Sequence, residues 1–205
     1  MPKWNGSQRR IGITGGIASG KSTIGNFLKD LKQIPILDAD EYSHEELRPE
    51  TENSNKIIKR YGNNIWKLNE NNQREIDRKK LGNIIFSDKK ERAWLESITH
   101  PVIHQRLLKE LENNQNSSAI ILIIPLLFET NLTDLCSEIW VVNCSFKQQL
   151  KRLMKRDELS KEESIKRIKT QLELGKKIKL ADIVIDNSGQ EETWINQVNN
   201  LVNQF

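Results

Sequence analysis

Eight consecutive residues, Gly15-Gly16-Ile17-Ala18-Ser19-Gly20-Lys21-Ser22, follow the pattern G-x-x-x-x-G-K-[ST], and Thr23 continues it. Glycines let the backbone wrap closely around a phosphate, so that successive N–H groups face its oxygens. A helix beginning at Lys21 adds partial positive charge at the same place. Lys21 can then reach the outer phosphates, and the Ser22 hydroxyl can join a Mg²⁺ shell. Gly16, Ile17, Ala18, Ser19, Gly20, Lys21, Ser22 and Thr23 are therefore expected to cradle the phosphates of a nucleotide. The bland alternative, a glycine-rich turn, fits the context less well. An apolar run, Arg10–Thr14, leads in, and Lys21–Lys32 leads out with Ile24, Phe27, Leu28 and Leu31 on one helical face.

Other residue types point the same way. Asp38 and Asp40 follow a second short apolar run, and a parallel sheet would bring them to the rim that carries the cradle. A carboxylate there can take a proton from an attacking hydroxyl or hold magnesium, directly or through water. One of the two can equally cap the next helix. Arg152 and Arg156 lie four apart, so both guanidinium groups share a helix face and could grip phosphates. The neighbouring Lys151 and Lys155 leave open a solvated basic face. Asn187 follows the last strand, where an amide could read an adenine edge or simply make an Asn-Ser-Gly turn. Glu129 has two open readings, substrate contact or structural pairing. His100 precedes Pro101, where a helix is expected to break or bend, and a lone histidine is more often structural. Trp4, Trp66, Trp94, Trp140 and Trp194 are scattered, and most of them read as packing residues.

The elements that must position these groups alternate. Strands are expected at Arg10–Thr14, Ile34–Leu37, Ser118–Ile124, Glu138–Asn143 and Asp182–Ile185, with a closing helix over Glu191–Gln204. Ser118–Ile124 is apolar throughout, as a strand buried on both faces of a parallel sheet must be. The alternation predicts an α/β chain, a doubly wound parallel sheet flanked by helices. Two stretches interrupt it. Glu41–Asn116 holds no convincing strand and reads as helices broken near Pro49, Gly62 and Pro101, an inserted helical subdomain. Phe146–Lys179 is helical, polar and lysine-rich, and reads as a mobile flap.

Composition narrows the classes. The 205 residues are 36% hydrophobic, enough for one sizeable core. The longest apolar run, Ala119–Phe128, is interrupted by Pro125 and falls short of the roughly 18 residues of a membrane span. Met1-Pro2-Lys3-Trp4-Asn5 lacks the apolar stretch of a signal peptide. Cys136 and Cys144 make neither a disulfide framework nor a paired metal spacing, so a reducing, cytoplasmic compartment is expected. The net charge of +4 is uneven: residues 146–179 carry +7 and the rest of the chain −3. An anionic partner is expected beneath the flap. The flap holds a single aromatic, Phe146, which argues against a stacking platform for nucleic acid. No N-K-x-D guanine motif is present, and Asp186–Gly189 comes too late to be a GTPase switch.

Taken together, the motifs resemble the dephospho-coenzyme A kinase family. The resemblance runs from Ile11 through Thr23 and Leu37-Asp38-Ala39-Asp40, then Asp77-Arg78 with Ile85-Phe86, and Ile98-Thr99-His100-Pro101. It continues with Pro125-Leu126-Leu127-Phe128-Glu129, Gln149 through Arg156-Asp157, and Ala181-Asp182 with Asn187. It implies a P-loop NTPase fold with a five-stranded sheet, core about 9–40, 117–145 and 180–205, a helical coenzyme A-binding insertion about 41–116 and a lid about 146–179. It implies ATP as phosphoryl donor with Mg²⁺, and dephospho-CoA as acceptor at its ribose 3′-hydroxyl. No nucleic-acid or membrane partner is implied. By the same resemblance Asp40 is the base, with Lys21, Arg152 and Arg156 completing the catalytic set, and Asn187 belongs to the ATP site. Ser22 serves the metal, Asp38 the metal or the cap of the next helix, and Asp38, Arg78, His100 and Glu129 the acceptor. Another P-loop nucleotide or small-alcohol kinase is the alternative. One departure stands out: Ser43-His44 occupies positions where the family usually carries a small residue and arginine, and imidazole grips an anion less firmly than guanidinium.

Overall fold

In a computed structural model, residues 3–32, 34–70 and 72–202 are described. Met1-Pro2 and the end of the closing helix expected to reach Gln204 lie outside them. Along the chain run β1 (Arg9–Gly15), α1 (Lys21–Lys32), β2 (Ile36–Asp38), α2 (Ala39–Glu45) and α3 (Glu52–Tyr61). Next come β3 (Trp66–Leu68), β4 (Arg74–Ile76), α4 (Arg78–Ser87), α5 (Lys89–Asn113) and β5 (Ala119–Ile123). The chain ends with β6 (Glu138–Asn143), α6 (Phe146–Asp157), α7 (Lys161–Ile168), α8 (Leu174–Lys179), β7 (Ile183–Asp186) and α9 (Glu191–Val202). The chain divides into two compact units, one up to Asp38 and from Glu110 onward, the other Ala39–Lys109.

The first unit is built on a five-stranded parallel sheet in the order β2-β5-β1-β6-β7. Strand alternation sends Ile11 and Ile13 of β1 to one face. There they pack with Ile24 and Leu28 of α1, Ile121 and Ile123 of β5, Trp140 and Val142 of β6, and Trp194, Val198 and Val202 of α9. Phe27 meets Trp194 edge to face, ring centres 5.3 Å apart. On the opposite face Gly12 is obligatory, because a Cβ there would stand 2.5 Å from Cys136 Sγ. With β1 central and both its neighbours parallel, its C-terminal end opens onto the rim where α/β sheets place their ligands. The polar segment 146–179 folds with this unit, and its first two helices open with complete capping boxes, Ser145 with Gln148 and Ser160 with Glu163.

The second unit has its own small core of Ile57, Ile65, Ile76 and Leu81, covered by Tyr61, Trp94, Leu95 and Ile98. It corrects two sequence expectations. The insertion is not purely helical, because β3 and β4 pair antiparallel, Trp66 with Ile76 and Leu68 with Arg74. Three-residue strands are too short to show alternation. The hairpin is held instead by cross-strand contacts: Lys67 with Glu75 at 3.2 Å, and the Arg74 guanidinium 4.4 Å over the Trp66 ring. Nor does Pro101 break its helix, since α5 runs through it for 25 residues. The ring removes one bond, the one Ser97 carbonyl would accept. Ser97 and Pro101 both lie on the exposed face, where water can serve that carbonyl. Packing of Trp94, Leu95 and Ile98 before it and of Leu107 and Leu111 after it carries the helix across.

A charged cluster locks α3 to α5. Arg60 Nε and Nη2 donate to both Glu91 oxygens at 2.7 and 2.8 Å, Tyr61 Oη donates to Glu91 at 2.6 Å, and the Arg60 guanidinium lies 4.4 Å over Trp94. The hydrogen bonds from Arg60, then from Tyr61, hold the Glu91 carboxyl down to about 2. Burial and the bond to Glu91 push the Tyr61 phenol up to about 12. The signs differ. Glu91 binds its proton more weakly folded than unfolded, so its contribution is complete above about pH 4.5 and is lost as pH falls toward about 2. Tyr61 holds its proton more tightly folded, so its contribution is complete below about pH 10 and is lost as pH rises through about 12. Thermal unfolding followed by circular dichroism across pH should therefore show a plateau with both limbs. Glu91→Gln should melt lower at pH 7 and flatten the acid limb; an acid limb identical to that of the parent chain would remove this cluster as its source.

Candidate functional site

Between β1 and α1 the chain must turn from strand to helix in five residues, and unusual backbone angles make that possible. Gly15 has φ +154°, Ala18 φ 56° and Gly20 φ 100°. These angles fold the loop into a concavity lined by backbone groups, a nest for an anion. Space also restricts the glycines. A Cβ at Gly15 would stand 2.8 Å from Ser19 Oγ, one at Gly16 1.8 Å from Gln149 Nε2, and one at Gly20 2.2 Å from Asn187 Nδ2. Lys21, the first residue of α1, is 7% exposed, and its ammonium bonds Gly16 O at 2.9 Å across the loop. Ser22 and Thr23 follow on the exposed side of the first helical turn.

The loop is gripped from behind. Asn187, after β7, donates Nδ2 to Ser19 O at 2.8 Å, and its own N–H bonds Asn143 O at 2.8 Å. Arg152 of α6 donates to Ser19 O at 3.4 Å and to Asn187 O at 3.2 Å. Two chain segments, α6 and the stretch after β7, thus converge on one loop carbonyl. Cys144, beside them, is buried, and burial pushes its thiol up while Arg152 draws it back. Cys136 is pushed up to about 12 by burial, and both cysteines are buried and outside any disulfide.

The other predicted residues divide. Asp38 ends β2, whose register with β5 puts it on the same C-terminal rim as the loop. Arg156 turns away to Asp157, 2.7 Å from it, so the two arginines of α6 take different partners rather than forming one clamp. Glu129 takes the pairing reading: Lys177 Nζ lies 2.9 Å from its Oε1. Asp40 lies in the first turn of α2, Arg78 opens α4 behind its cap Asp77, and His100 sits mid-helix in α5; all three belong to the second unit. Sequence reasoning assigned no role to Gln171 or Lys177. Gln171 accepts the Ile17 N–H at 2.8 Å, and Lys177 has no exposure at all. Lys177 stood unmarked among many lysines, and no local pattern says which lysine of a basic helix is swallowed. Burial pushes its ammonium below the ordinary lysine range, with Glu129 opposing.

The donors fit a nucleotide with magnesium. Ser22 and Asp38 carry hard oxygen donors, and Mg²⁺ is commonly held by one or two such groups together with water and substrate phosphates. Among the described residues no three His, Cys, Asp or Glu side chains gather into an all-protein cage.

Comparison with known proteins agrees with this geometry. A family model described as dephospho-CoA kinase matches residues 9–193. A dephospho-CoA kinase of Prochlorococcus marinus is 50% identical over 202 residues, 98% of this chain and 96% of that one. Among solved structures, a Thermus thermophilus protein is similar at a TM-score of 0.74 and 28% identity, covering 98% of this chain and 99% of its own. The dephospho-CoA kinase from Campylobacter jejuni is similar at a TM-score of 0.66 and 28% identity, covering 95% and 96%. A glycine loop braced at the rim of a parallel sheet, a full-length relative and a matching family model agree: the chain belongs to the dephospho-CoA kinase family.

Proposed function

We infer that the protein transfers the γ-phosphoryl group of ATP to the ribose 3′-hydroxyl of dephospho-CoA, giving coenzyme A and ADP, the last step of coenzyme A synthesis. The observation that carries this reading is the family match across residues 9–193 together with half of all residues identical to a dephospho-CoA kinase along nearly the whole chain.

The residue roles follow the chemistry. Loop amides between Gly16 and Thr23, apart from the Ile17 N–H that Gln171 accepts, bind the phosphates together with the Lys21 ammonium, and Lys21 follows the charge that builds on the transferring group. Ser22 and Asp38 would hold Mg²⁺, which when bound would neutralise phosphate charge. Asp40 accepts the proton of the 3′-hydroxyl as its oxygen attacks phosphorus in line, and the phosphorus bond to the ADP oxygen breaks. Arg152 and Arg156 add positive charge, which requires Arg156 to exchange Asp157 for phosphate. Asn187 supports adenine while bracing the loop. The helical insertion takes the acceptor through Arg78 and His100, with His44 in place of the family's arginine, and Glu129 acts through Lys177. Residues 146–179 close as a lid, since water would otherwise compete with the hydroxyl for ATP. No helix among the described residues is long and apolar enough to cross a membrane.

Purified protein with ATP, Mg²⁺ and dephospho-CoA should release ADP in a coupled assay and yield coenzyme A by mass spectrometry. Adenosine, AMP or a simple alcohol phosphorylated in preference to dephospho-CoA would sink the acceptor assignment in favour of another kinase. Asp40→Asn should lower kcat by about 10²–10⁴-fold, the usual worth of a positioned base, and leave ATP affinity near that of the parent. A parent-like kcat in that variant would move the base elsewhere, and Asp38→Asn measured alongside would then show whether Asp38 holds it.

A further inference from the structure

The tip of the glycine-rich loop is held by side chains from outside it. Both backbone groups of Ile17 are taken by glutamine amides. Gln149 of α6, 3% exposed, donates Nε2 to Ile17 O at 3.1 Å, and Gln171, between α7 and α8, accepts Ile17 N–H on Oε1 at 2.8 Å. The residue after Gln171 is fixed in turn, because Leu172 N–H bonds Glu129 Oε1 at 2.8 Å. The same oxygen receives Lys177 Nζ at 2.9 Å, and that ammonium also bonds Pro125 O at 2.8 Å and Gly15 O at 3.4 Å. An ammonium has three N–H groups, and here each has an acceptor. The contacts close a ring that leaves the loop at Gly15, passes through Lys177, Glu129, Leu172 and Gln171, and returns at Ile17.

A glycine-rich loop has more backbone freedom than any other segment of similar length. Its amides stabilise developing charge only if they are already aimed when the phosphates arrive. The ring supplies that order from a part of the chain 154 residues away in sequence. We propose that Gln171 is a positioning residue of the phosphoryl-transfer site, fixing the aim of the phosphate loop through the Ile17 amide, with Glu129 and Lys177 as the strut that holds Gln171 in place. This rests on the kinase reading for its reaction, but on geometry alone for its effect on ATP.

Gln171 borders a cavity of about 630 Å³ lined in part by Gly16, Gln149 and Leu172, so shortening it removes a contact without collapsing a core. In the full-length enzyme, Gln171→Ala should weaken ATP binding and raise KM for ATP roughly tenfold. KM for dephospho-CoA should stay unchanged, with a melting temperature close to the parent's. Gln171→Glu keeps an acceptor oxygen at the same reach but adds a negative charge beside the triphosphate. Relative to the parent at the same pH, its ATP affinity should be low at pH 8 and recover as pH falls to about 5, as the new carboxyl, held protonated to higher pH by the nearby phosphate charge, gains its proton. Parent-like ATP affinity in Gln171→Ala, or a Gln171→Glu affinity with the parent's pH profile, would overturn the proposal. A lowered melting temperature with parent-like ATP parameters would likewise reduce Gln171 to a structural role. Because ATP affinity is read by direct titration, the result stands apart from the acceptor: a parent enzyme inactive on dephospho-CoA would refute the kinase reading and leave the Gln171 outcome interpretable.

Discussion

A lysine ammonium sealed from water is the constraint around which the phosphate-binding rim is arranged. Burying such a charge is tolerable only if every N–H finds an acceptor and an opposite charge lies close. Lys177 meets both conditions with Glu129, Pro125 O and Gly15 O. Those three acceptors come from the end of β1, the segment after β5 and the loop beyond it. Satisfying one side chain therefore fixes where the strands end relative to α8. Thr14 Oγ1 adds a second bond to the same Pro125 carbonyl at 3.1 Å, so the base of the glycine loop is tied to its neighbour strand twice.

That arrangement changes the meaning of the basic segment 146–179. Its +7 charge reads in the sequence as a reservoir waiting over a phosphate site. Several of its cations are committed to the protein itself. Lys177 is interior, Arg152 grips Ser19 and Asn187 carbonyls, and Arg156 and Arg167 share Asp157. The segment is thus attached at defined points, to the glycine loop and to Glu129. Recruiting Arg156 to a phosphate costs an existing ion pair. The exchange is cheap at that position, because the Arg156 side chain is more than half exposed and such pairs are weak in water.

The second unit is held by different means. Its apolar core is small, and it leans on stacked and bidentate contacts, with Arg60 between Glu91 and Trp94 and Arg74 over Trp66. Such contacts suit a unit with little interior to bury, since each aromatic serves as a packing surface and a cation partner at once. They also make its stability sensitive to pH, which the oily core of the sheet is not.

The glycine loop, the apolar run of β5, the alternation of strand and helix and the family motifs were all legible in the sequence, because each is written within a dozen neighbouring residues as a period, a turn or a spacing. The hairpin of β3 and β4 was not, because three-residue strands are defined by their partners. The continuity of α5 through Pro101 was not, because a local breaker was overruled by packing on either side of it. Glu129 was ambiguous and Gln171 silent for the same reason: a carboxylate or amide acquires its role from what stands opposite. The opposite groups, Lys177 for one and the Ile17 amide for the other, lie 48 and 154 residues away. The sequence by itself determined that a phosphate cradle exists and which family carries it. Only the tertiary structure decided which charges hold the cradle in shape, because such pairings are made across folded distance and leave no local pattern.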